Sequence, residues 1–144
     1  MTTTLNFSIS ELIHSDTAIR NNINNMPDIK SIDNMLELIV YCLQPIRDKL
    51  KKPMIITSGF RNQQVNKLVG GVANSQHTTG QAVDFYVNGM TVQQIIDFIK
   101  KSGIKYTQLI EEHAKNSSWV HISCDKKNLK CETLLYKNGI YTKI

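Results

Sequence analysis

At 144 residues, 41% of them apolar and 20% charged, the chain suits one domain with a single sizeable core and is not a disordered tail. Its net charge of +5 sits in small lysine groups, Lys49, Lys51 and Lys52 in one place and Lys126, Lys127 and Lys130 in another, without interleaved aromatics; this argues against a nucleic-acid surface and suits attraction to some other anionic polymer. No stretch approaches the roughly 20 apolar residues of a membrane helix, "MTTTLNFSIS" lacks the basic end and apolar core of a secretion leader, and three scattered cysteines make no disulfide framework, so the expectation is a soluble protein made in the cytoplasm.

In chain order, Ser8 followed by Glu11 is a capping-box pattern and predicts a short helix. "RNNINNMPD" (20–28) reads as a polar loop ended by Pro27. Ile29, Ile32, Leu36, Ile39, Leu43, Ile46 and Leu50 recur at three- and four-residue steps, which predicts an amphipathic helix with Cys42 buried inside it and a kink or break at Pro45. Residues 53–57 form a short buried strand, and 62–71 a brief helix stopped by Gly70 and Gly71. In "QAVDFYV", Val83, Phe85 and Val87 face one side, Ala82, Asp84 and Tyr86 the other. Thr91 and Gln94 start a helix with Val92, Ile95, Ile96 and Ile99 on its apolar face, and Gly103 ends it. Strands follow at 106–112, 118–123 and 132–137, the last running through Asn138-Gly139, a type I′ hairpin signal, into "IYTKI". Helices first and mixed elements after imply an α+β fold with a mainly antiparallel sheet, one domain over residues 1–144.

Three residues stand out as candidate metal ligands. His77 lies in a Ser/Thr/Gly loop, where a histidine is ordinarily just solvated, and Asp84 lies on a half-buried strand, where a carboxylate is costly unless paired or bound to a cation. His121 shares a strand face with Trp119 and Ser123, with Val120 and Ile122 on the other; such a histidine is ordinarily a core or edge residue. Two imidazoles and one carboxylate are the set a catalytic zinc uses, with a fourth position left for water. Cys124, three residues past His121, points off that face and makes a poor fourth ligand.

The segments "SGFR" (58–61), "SQHTTGQAVD" (75–84) and "WVHIS" (119–123) together resemble the M15 family of zinc D-alanyl-D-alanine carboxypeptidases and related cell-wall peptidases, in particular a short-chain, phage-lysin-type branch. The resemblance covers about residues 7–123 and leaves 124–144 as a strand and hairpin. It implies a Hedgehog/DD-peptidase type of fold, one Zn²⁺ held by His77, Asp84 and His121, and hydrolysis of a peptide bond in peptidoglycan stem peptides. Arg61 matches the family arginine that binds a substrate carboxylate or steadies a carbonyl oxygen, and Ser75 a serine near substrate; otherwise the two read as a surface arginine and a loop-capping hydroxyl. Some members carry an acid three positions before the last histidine, where this chain has Ser118. The general base is then Glu112, which matches a QLIxE pattern of the short branch, or Glu111 beside it; otherwise both are solvated strand-end charges and the base comes from elsewhere. His113, in a polar loop, and His14, in the first helix, are decoys. The rival expectation is a zinc-bound module without catalysis that binds wall peptide or a protein partner.

Overall fold

The computed structural model describes residues 5–144; Met1–Thr4, the head of the segment read above for a leader, lie outside the described residues. Two short helices come first, α1 (Ile9–Ile13) and α2 (Asp16–Arg20), each started by a serine: Ser8 Oγ accepts from the Glu11 N–H and Ser15 Oγ from the Ala18 N–H, both at 3.1 Å. α2 has no counterpart among the expected elements, because five residues are too few for a helical period to show. The asparagine-rich loop that follows is a clamp. Asn25 Nδ2 donates to Ile13 O at 2.9 Å and Phe60 O at 3.0 Å, its Oδ1 accepts from the Asn62 N–H at 2.9 Å, and Asn62 Nδ2 donates to Asn24 O at 3.0 Å.

The long amphipathic helix runs as α3 (Ile29–Leu38), a π turn (Ile39–Leu43) and α4 (Gln44–Leu50). Pro45 does not divide it. Leu38, Ile39, Leu43 and Gln44 keep right-handed helical dihedrals, and the wide turn, with the Gln44 N–H on Ile39 O, makes room for a residue that has no N–H to give and crowds the preceding turn. The buried stripe also departs from the expected one. Ile39, Leu43, Ile46 and Leu50 are in the core together with Met35, Leu38 and Cys42, but Ile29 is 80% exposed and Leu36 43%. The inward face of the first turns carries Ser31 and Asn34 instead, since it packs on the 76–80 turn: Asn34 Nδ2 donates to Thr79 O at 2.8 Å.

After α5 (Gln63–Leu68) and α6 (Val92–Ser102), the chain is mostly sheet. Both halves of the Thr91–Gln94 capping box are present and Gly103, at φ +80°, ends α6. The strands are β1 (Ile55–Ser58), β2 (Ala82–Tyr86), β3 (Gln108–His113), β4 (Ser118–Ser123), β5 (Glu132–Lys137) and β6 (Ile140–Lys143). They form a six-stranded sheet in the order β1-β2-β4-β3-β5-β6, antiparallel throughout except that β3 and β5 run parallel. Asn138 and Gly139 both take positive φ, as a type I′ turn requires. This is the expected α+β arrangement.

One face of the sheet, through Val83, Phe85, Leu109, Val120 and Ile122, packs on Leu12, Leu38, Ile46, Ile95 and Ile99 of the helices. Each such fully buried side chain contributes about 1.5–3 kcal/mol. The other face is left for a cleft. Cys42, Cys124 and Cys131 are free thiols. Among the described residues no helix is long and apolar enough to cross a membrane. Replacing Asn25 by alanine removes three clamp hydrogen bonds at once. It should lower unfolding stability by about 1–3 kcal/mol in urea titration and leave the far-UV circular dichroism of the native state unchanged.

Candidate metal centre

Strand register brings the site together before any side-chain detail is considered. Asp84 on β2 pairs with His121 on β4, which pairs with Ile110 on β3. All three therefore sit on the face opposite the core. His77 enters from a 3₁₀ turn (Gln76–Thr79) just before β2, and Ser75 caps that turn by accepting from the His77 N–H at 3.2 Å. Gly80 closes the turn at φ +77°, and a Cβ there would stand 2.5 Å from Ser31 O. Only glycine meets both demands without strain.

His77 Nε2 lies 3.3 Å from Asp84 Oδ1, His121 Nδ1 lies 3.0 Å from the same oxygen, and the three ligand atoms all fall within 4.8 Å of one another. The imidazole rings meet edge to face at 5.1 Å. His77 Nδ1 is 2.8 Å from Gly59 O, and since a carbonyl only accepts, Nδ1 carries the hydrogen and Nε2 is the atom turned to the site. A backbone carbonyl holding the far nitrogen of a histidine is the usual support of a metal-binding imidazole. Gly59 itself must lack a side chain: a Cβ would lie 2.1 Å from Leu12 O, which accepts from the Phe60 N–H at 2.7 Å.

Burial alone would raise the Asp84 carboxyl, but the two imidazoles outweigh it and hold the group well below the usual carboxylate range. A buried carboxylate and two imidazole nitrogens thus converge with no lysine or arginine within ion-pairing distance among the described residues. The donor set fits a divalent ion of zinc's borderline character, which takes nitrogen and oxygen ligands in a shell of four.

The remaining predicted residues surround this centre in a cleft of about 560 Å³. Glu112 Oε1 is 3.7 Å from His121 Nδ1. Burial raises its carboxyl above the ordinary value and the Asp84 charge adds to this, while His121, Arg61 and the Trp119 indole oppose incompletely. Glu111 faces the other way. It pairs in register with Val120 and Leu135, and its Oε2 is 2.6 Å from His113 Nε2, so neither Glu111 nor His113 lines the cleft. His14 is likewise remote, beside Asp16 at 3.0 Å.

Arg61 is tied to the ligand turn through its backbone, its N–H donating to His77 O at 3.0 Å. Its side chain makes one long contact, Nη2 to Ser75 Oγ at 3.5 Å, and its Nε is buried without an acceptor. Burial lowers the guanidinium's proton affinity, and Asp84 and Glu112 partly restore it. The cation therefore presents unused donors to the cleft.

Tyr136 and Tyr141 line the cleft too and escaped the sequence reading. Trp119, Glu112, Tyr136 and Tyr141 stand in one cross-strand row, since Glu112 pairs with both Trp119 and Tyr136, and Tyr136 with Tyr141. The alternation in "ETLLYK" puts Tyr136 on a face, but only register places that face beside Glu112. The opposite lip is the loop after α5. Gly71 donates its N–H to Asn66 O at 2.9 Å, and Asn66 Nδ2 donates to Val72 O at 2.8 Å, which brings Val72 and Asn74 to the cleft.

A profile of the peptidase M15 family matches residues 5–123, well over half of the chain, and the chain belongs to that family. Membership supports a metallopeptidase. No curated protein matches the chain. After equilibration with zinc and removal of excess, the protein should retain about one ion per chain by elemental analysis. His77→Ala should retain almost none while keeping its circular dichroism spectrum, and retention by that variant would move the centre elsewhere.

Proposed function

We propose that this M15 peptidase is a zinc-dependent hydrolase that cuts a peptide bond in the stem peptides of bacterial peptidoglycan, as a DD-carboxypeptidase or an endopeptidase. The observation that carries the reading is the convergence of His77 Nε2, Asp84 Oδ1 and His121 Nδ1 on the floor of an open cleft, with Glu112 Oε1 3.7 Å from the last of them. Zinc, held by those three side chains, supplies the Lewis acidity that eases deprotonation of water and polarises a scissile carbonyl.

Glu112 then acts as the proton carrier. Its raised carboxyl affinity suits a group that takes a proton from the attacking water and returns it to the leaving amine. Asp84, held ionised between its imidazoles, cannot share that role. Arg61 offers forked donors from the wall of the cleft, to a substrate carboxylate or to the oxygen that gains charge as the carbonyl is attacked. Ser75 holds the ligand turn and stands beside Arg61, so its contact with substrate comes through the same corner of the cleft. Two observations support the wall as substrate: the resemblance of the SGFR, SQHTTGQAVD and WVHIS segments to wall peptidases, and a net charge of +5 that favours an anionic polymer. The chain would meet that polymer after release from a cell or as part of a phage particle.

Incubating purified peptidoglycan with the zinc-loaded protein and analysing the products should reveal new peptide termini and so name the bond. Glu112→Gln should slow their appearance by about 10²–10⁴-fold, whereas Glu111→Gln, on the far face, should stay within a few-fold of the parent. Equal rates for the parent and Glu112→Gln would remove Glu112 from the base role. No termini from the zinc-loaded parent would leave a wall-binding module in place of a hydrolase.

A further inference from the structure

The family match ends at Ser123, yet the segment beyond it builds part of the cleft. β5 and β6 lie at one rim of the sheet, and their tyrosines continue the row that contains Glu112. The Tyr136 and Tyr141 rings are 4.7 Å apart and tilted by 46°, a mutually supporting pair, although Tyr141 is 59% exposed. An exposed tyrosine held in place on the wall of a cleft is available for contact with a ligand.

The two ends of the cleft differ in charge. Arg61 follows β1, at the opposite rim of the sheet from the hairpin, and is the cation among the lining residues that faces the metal centre with free donors. On the hairpin side the lining is Gln108, Ile110, Tyr136 and Tyr141, with Glu112 the charged group, and it is negative. Lys130 and Lys143 line a separate cleft with Glu132, where Lys130 lies 3.5 Å from that carboxylate, and Lys137, next to Tyr136, lines neither cleft. Neighbouring strands are about 4.8 Å apart, so the step from β3 to β5 and β6 spans roughly the length of two to three extended residues at about 3.3 Å each.

We infer that the Tyr136–Tyr141 pair is the specificity wall for the acyl side of the substrate, and that it selects an uncharged residue there over an anionic one. This rests on the hydrolase reading above. With Arg61 taking a carboxylate on the leaving side, the chain on the acyl side runs over the aromatic pair. A neutral residue packs its alkyl and backbone surface on the rings, with the phenol hydroxyls in reach of its amides. A carboxylate in the same place meets the Glu112 carboxylate, and no lysine or arginine lines that side of the cleft.

The test compares two peptides that differ only in the residue before the scissile bond, alanine in one and glutamate in the other. The parent should favour the alanine peptide by about tenfold or more in kcat/KM. Tyr136→Ala and Tyr141→Ala should raise KM for that peptide several-fold, leave kcat within about twofold, and shrink the preference; Tyr141→Phe should restore most of the affinity. Thermal melts check that the variants fold. A binding arm needs no turnover: isothermal titration of the isolated acyl-side fragment should show weaker binding to Tyr141→Ala than to the parent. Unchanged KM and preference in both alanine variants, or equal fragment binding, would overturn the assignment. A zinc-loaded parent that cleaves neither peptide nor wall sinks the hydrolase reading instead, and the binding arm still decides the role of the tyrosines.

Discussion

A carboxylate buried between two imidazoles is stable only if something positive shares the space, and much of this chain is organised around keeping Asp84 in that position. The sheet supplies the pairing that sets Asp84 against His121. The third member, His77, is not on a strand and has to be held by other means. Its turn is fastened from three directions: from α3 by Asn34 on Thr79 O, from the β1 end by Gly59 O on Nδ1, and from Arg61 by a backbone hydrogen bond. Each fastening demands something unusual of the sequence. Gly59 and Gly80 leave no room for a side chain, and α3 turns a serine and an asparagine inward where an amphipathic helix would place leucines.

The same sheet face gives two carboxylates opposite characters. Asp84 sits between imidazoles and is pulled down against its own burial, while Glu112 is pushed up by its burial and by the Asp84 charge, which the cations near it offset only in part. Both are largely removed from water, so the neighbours and not the burial decide the difference. Separating two acids in this way lets one remain a fixed ligand while the other exchanges a proton, a division of labour common to enzymes that run acid and base chemistry in one cleft.

Two of the metal-centre residues were legible because strand alternation is strict: Asp84 and His121 could be assigned faces, and the cost of the Asp84 carboxylate noticed, from the letters alone. The preference for Glu112 over Glu111 came from the QLIxE resemblance, and the structure places the two on opposite faces of β3. What was not legible depended on contacts between distant segments. The asparagines at 24 and 25 looked like loop filler and are the clamp on the SGFR turn. Ile29 and Leu36 fitted the helical period yet face solvent, because the inward side of α3 is committed to the ligand turn. Pro45 announced a disturbance but not its form, a π turn that keeps the helix continuous. The tyrosines were hidden for another reason: β5 lies beside β3 in parallel, so its register with Glu112 is set by a crossover and not by a hairpin.

The strand order has one more effect, on how molecules of this protein meet each other. An open sheet ends in two rows of unpaired backbone groups, which invite a strand from another copy and, with it, aggregation. Here both rims are short. β1 has four residues and an irregular register between Ile56 and Ser58, and β6 has four and ends on Lys143. The six-residue strands, β3, β4 and β5, are in the interior of the order, each with partners on both sides. A sheet so arranged offers little template for stacking, and the cleft face can stay open to a polymer without the rims joining copy to copy.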